Sequence, residues 1–119
     1  MADEYQNETY LGLLEKLGPE QSLILIDKLI IDLQNTQRGL KAAQSARAND
    51  MLSEPSHVLI SLAGVIGTTQ LHLISQQINN LATVHKGDFP FSLVSVAIEE
   101  IDNWLGFLKS DKKSRDTSR

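Results

Sequence analysis

The stretch Ser56-His57-Val58-Leu59-Ile60-Ser61-Leu62-Ala63-Gly64-Val65-Ile66-Gly67-Thr68-Thr69-Gln70-Leu71 is the one around which the rest of the chain is organised. Wound as an α-helix at about 100° per residue, it places Val58, Leu59, Leu62, Val65 and Ile66 on one broad apolar face that must be buried. His57, Ile60, Ser61, Gly64 and Thr68 fall on the opposite side, because steps of three, four, seven and eleven residues return near the same direction. The histidine is therefore expected to point outward, over ground that Ser61 and Gly64 keep low. Neutral imidazole is a nucleophile near its unperturbed pKa of about 6.5, so an exposed one that a second protein can reach suits reversible phosphorylation. A solvated side chain is the plainer reading of a lone surface histidine.

Working outward, Ser53 is a good N-cap for this helix, and Glu54 and Pro55 suit its first turn. Gly67-Thr68-Thr69 reads as either a kink or a short break. A further helix then runs from Gln70 to Thr83 with Leu71, Ile74, Ile78 and Leu81 on its buried stripe, and His72 at its surface. Upstream, Ala46 to Leu52 is a turn broken at Asn49-Asp50. Before it, Leu23, Ile26, Leu29, Ile30, Leu33, Leu40 and Ala43 recur at helical spacing and mark the longest helix of the chain. Gly18 ends a short first helix carrying Tyr10, Leu11, Leu13, Leu14 and Leu17, Pro19 opens the long one, and residues 1 to about 5 are expected to be loose. Downstream, residues 84–90 cluster glycine, aspartate and proline into a loop that contains His85. Phe91, Val94, Ala97, Ile98, Ile101, Leu105 and Leu108 then form a last amphipathic helix with Trp104 on its flank. The expected fold is all-α: an up-and-down four-helix bundle with a short extra N-terminal helix, spanning residues 1–109. Residues 110–119 are a disordered polar tail, since they carry nothing to bury.

Composition agrees with that class. At 119 residues the chain has the size of one domain, and its aromatic share of 5% beside abundant Leu and Ile favours helices packed on helices. A formal charge of −4 with no concentrated basic patch argues against nucleic-acid binding. The absence of cysteine excludes disulfides and thiolate metal sites. An acidic, polar start and apolar runs well short of the ~20 residues needed to span a bilayer make a soluble, cytoplasmic protein the expectation. Fifteen residues separate His57 from His72, so no pair of imidazoles is spaced for one metal, and no metal or other cofactor is expected. Glu99-Glu100 has no opposing carboxylate pair, and Ser61 near His57 lacks an oxyanion hole, so a hydrolase has no visible constellation.

The layout resembles the histidine-containing phosphotransfer (HPt) domain family. That family's third helix carries His-x-x-Lys-Gly, a second glycine six residues after the first, and a leucine four further on; here His57, Gly67 and Leu71 take the histidine, the later glycine and the leucine. Ser75-Gln76-Gln77-Ile78-Asn79-Asn80-Leu81 is like the family's next helix, and Leu13 to Glu20 is like the start of its long second helix. Gly39-Leu40-Lys41-Ala42-Ala43 and Asn49-Asp50 are similar to what ends that helix, so the likeness runs to about residue 108. The family's lysine and its adjoining glycine are replaced by Ile60 and Ser61.

The resemblance implies a phosphorelay intermediate of two-component signal transduction. Nε2 of His57 would accept a phosphoryl group from a response-regulator receiver aspartate and pass it to another, with a hybrid sensor kinase as a possible further partner and any Mg²⁺ held by the receiver. Docking is expected around Ser53, Ile60, Ser61 and Gly64, with Gln70 and His72 of the following helix. Because Ile60 gives the phosphoryl group no cation, the alternative is a binding module that docks or inhibits a receiver without transfer. Arg38, Lys41 and Arg47 read first as partners of a helix C-terminus, and second as a source of the missing charge from the adjacent helix.

Overall fold

The computed structural model describes residues 4–84 and 91–117. It contains helix α1 (Glu8–Ala46), a 3₁₀ turn (Asn49–Leu52), and helices α2 (Ser53–Ile66), α3 (Thr69–Val84) and α4 (Phe91–Thr117). Each helix packs on the next in sequence and α4 closes against α1, the arrangement of an up-and-down bundle. No strand occurs among the described residues. The loop expected at 84–90, with His85, lies outside the described residues from 85 onward.

Asn7 begins α1. Its Oδ1 accepts from the Tyr10 N–H at 2.8 Å, and its Nδ2 donates to the Ile66 carbonyl, also at 2.8 Å. One side chain thus caps one helix and satisfies an end carbonyl of another. Helix α1 is two helices joined across a kink: the backbone leaves helical geometry at Gly18 (φ 82°, ψ 172°), where the sequence predicts the end of the short first helix, and resumes at Pro19. Pro19 has no N–H to offer the Glu15 carbonyl one turn back, and across the kink Ser22 Oγ donates to the Leu14 carbonyl at 2.9 Å. The long helix ends at Ala46, as its periodicity predicts, with Arg47 in left-handed conformation (φ 54°). The guanidinium of Arg47 then lies over the Phe91 ring, 5.6 Å from its centroid.

Three expectations at the margins are corrected. Trp104 is fully buried, not on a flank, in an aromatic cluster with Tyr5, Tyr10 and Phe107 whose ring centroids lie 4.8–6.5 Å apart. Tyr5 and Glu4 are held rather than loose, Glu4 Oε1 accepting from Thr68 Oγ1 at 2.8 Å. The polar tail is helical through Thr117. Asp111 accepts from the Tyr10 hydroxyl at 2.6 Å and from Arg115 Nε at 2.8 Å, so the tail supplies the partner that a buried phenol requires. Burial and the Asp111 carboxylate together hold the Tyr10 phenol well above the usual tyrosine range.

Candidate functional site

The site is built on α2. Its buried residues are Ser56, Leu59, Leu62, Ala63 and Ile66, a stripe at three-and-four spacing. Val58 and Val65, expected in the core, are 38% and 39% exposed. The helix is therefore rolled by roughly 50° from the orientation its largest apolar residues suggest. The reason lies in α3. Ser56 is buried because its Oγ finds Asn79 Oδ1 at 3.1 Å and the Ser53 carbonyl at 3.1 Å, and small Ala63 admits close approach of a neighbour. The roll turns His57 still more directly outward, nearly opposite Leu59 and Ile66.

Around the exposed imidazole, Ser61 and Gly64 are also exposed, and a Cβ built on Gly64 meets nothing within 4 Å. Ile60 is half-buried on the flank toward α3, where it lines a shallow groove of about 420 Å³ with Leu73, Gln76, Gln77, Asn79 and Asn80. Leu73 is 58% exposed. Of these groove residues the sequence reading of the docking face includes Ile60 alone. The missed signal was the outer rhythm of α3, where 73, 76, 77 and 80 recur opposite Leu71, Ile74 and Ile78.

The remaining expected positions divide. Gln70 is exposed and His72 half-buried, both in the first turns of α3, at the opposite end of α2 from His57. Ser53 is half-buried and is no N-cap: the 3₁₀ turn runs directly into α2, Ser53 is already helical (φ −60°, ψ −52°), and no side chain caps the junction. Thr68, assigned to the open side with His57, is buried and starts α3, its Oγ1 accepting from the Leu71 N–H at 3.3 Å. Gly67 separates the two helices in left-handed conformation (φ 77°). A Cβ there would lie 2.7 Å from that of Thr9, so glycine is required both by the turn and by the approach of the α1 start.

Charge near His57 is negative. Glu54 lies one turn before it on α2, and beyond Val58 the groove between α1 and α2, about 470 Å³, is lined by Asp32, Asp50 and Glu54 among others. Arg38 and Lys41 share a different surface with Gln34 and Gln37. The amide of Gln37 donates to the Ile98 carbonyl at 3.0 Å and to Asp102 Oδ1 at 2.7 Å, which puts that surface on the α4 side of α1. Arg47 is engaged with Phe91, at the start of α4. None of the three cations considered from the sequence faces α2. Among the described residues no group of three or more His, Asp or Glu is placed to hold a metal ion, and no helix is long and apolar enough to cross a membrane. No family model matches the chain, and neither a curated protein nor a solved structure matches it.

Proposed function

We propose that the chain is a histidine phosphotransfer module acting through His57. The observation that carries this reading is the exposed imidazole on the outermost line of α2, beside Ser61 and an open Gly64, where a receiver's acidic pocket meets no bulk. In the forward step the Nε2 lone pair of neutral His57 attacks the phosphorus of an aspartyl phosphate. The N–P bond forms as the P–O bond to the aspartate breaks, the carboxylate leaves with its electron pair, and the proton on Nδ1 stays on the ring or passes to water. The cation that this step needs comes from the receiver, because neither Ile60 nor Glu54, each one helical turn from His57, supplies one.

A second reading is favoured by a specific feature. Half-buried Ile60 beside exposed Leu73 makes an apolar contact surface next to His57, which suits a module that holds a receiver without accepting the phosphoryl group. Incubation with phosphorylated receiver domains separates the two. Transfer yields acid-labile, base-stable label on this chain, lost in His57→Gln with the helical spectrum intact. Stable co-purification without label supports the holding module, and label retained by His57→Gln removes His57 from the mechanism.

A further inference from the structure

We infer that the chain forms a twofold dimer through the outer face of α1, with a second copy of itself laid antiparallel so that Ile24 of each copy packs on Ile31 of the other. This inference is independent of His57. Ile24 and Ile31 are 61% and 55% exposed, among the most open large apolar side chains of the molecule. They are seven residues apart on the uninterrupted part of α1 that follows Pro19, so they share a line along the helix. That line lies about 180° around the helix from buried Leu33, and so faces away from α2 and α4 alike. Seven-residue spacing is the spacing that keeps one seam facing a partner helix at a shallow crossing angle.

A twofold interface has to complement itself, and this one does. With Ile24 opposite the second copy's Ile31, Asp27 falls opposite Lys28 twice, and Gln21 opposite Gln34 twice; no like charges face each other. Lys28 and Asp27 have monomer partners in Asp32 and Lys112, but their side chains stay 72% and 56% exposed and are free to turn outward. The other simple register, Ile24 on Ile24, needs Leu17 opposite Ile31. Leu17 precedes the turn at Gly18 and is off the straight seam, so the first register is the one assigned. One helix face per copy makes a small interface, and interfaces below ~1,200 Å² are typically transient, so the dimer is reversible and concentration-dependent.

The test is sedimentation of the full chain over a concentration series extending to the millimolar range. The expected result is a mass rising from 13.2 kDa toward twice that value, and Ile24→Glu staying monomeric with an unchanged helical spectrum. Asp27→Lys and Lys28→Asp should each weaken association about tenfold, and the two together should restore it. Because the chain has no cysteine, register is read directly. A mixture of Ile24→Cys and Ile31→Cys should cross-link on mild oxidation. Neither should link to itself, since like positions lie ~10 Å apart along the axis, beyond the ~7 Å Cα reach of a disulfide. A monomer at every concentration, self-linking of Ile24→Cys, or failure of the charge swap to restore association overturns the proposal, as does a face that captures only some other protein.

Discussion

Ile60 sits one helical turn after His57, on the α3 flank of the imidazole, and it is where phosphotransfer and simple holding make opposite demands. An ammonium there would lie near the phosphoryl oxygens, and a charge-assisted hydrogen bond contributes about 1.5–3 kcal/mol. Ile60→Lys should therefore lengthen the life of the phosphorylated form, or speed transfer, by about tenfold or more. For a holding module the same change puts a hydrated charge where an apolar contact was made, and receiver affinity falls with no gain of label. Label half-life and receiver affinity measured on one preparation decide between them. Neutralising Arg38 and Lys41 should leave transfer unchanged, because both lie on the α4 side of α1. At this scale His57, Ser61 and Gly64 were legible from the sequence, since outward direction follows from helical spacing. The fate of Thr68 was not, because Gly67 breaks the helix one residue earlier and hands Thr68 to the next one.

Helix α2 has two apolar faces to choose between, one with Val58 and Val65 and one with Ser56 and Ala63, and Leu59, Leu62 and Ile66 serve either. The roll described above makes the two kinds of position energetically distinct. Leu62→Ala should cost about 2–5 kcal/mol, the ordinary price of an aliphatic truncation in a core. Val65→Ala should stay within about 0.5–1 kcal/mol, as surface changes do. Urea unfolding of both variants checks this, and equal losses would mean that α2 is oriented as its valines suggest. Helix α4 offers a second test. Asp111→Ala leaves the buried Tyr10 hydroxyl without its partner, for an expected loss of about 1–3 kcal/mol, and ending the chain after Lys109 should lose at least as much. A truncated chain as stable as the parent would show that the helical extension carries no weight.

Across the whole molecule, one carboxylate runs against the fold. Glu100 on α4 has a buried Oε2 with no hydrogen-bond partner, and burial first, then the negative charges of Glu4 and Glu99, raises its pKa above the ordinary 4.5. The folded chain thus holds this proton more tightly than the unfolded chain does. The resulting stabilisation is fully present below the unfolded pKa and is lost as pH rises through the folded one. Glu100→Gln should therefore raise Tm at neutral pH, and the gain should shrink to nothing in acid; a gain independent of pH would assign the effect to packing instead. The amino-acid sequence by itself determined the all-α class, the start of the long helix after Gly18-Pro19, its end at Ala46 and the outward aim of His57. Those follow from local periodicity and from the backbone needs of glycine and proline, which act within one or two turns. Only the tertiary structure decided the roll of α2, the burial of Trp104 and the order of residues 110–117. Each depends on a partner distant in sequence: Asn79 for Ser56, the Tyr5 and Tyr10 rings for Trp104, and the Tyr10 hydroxyl for Asp111, none of which local periodicity can bring together.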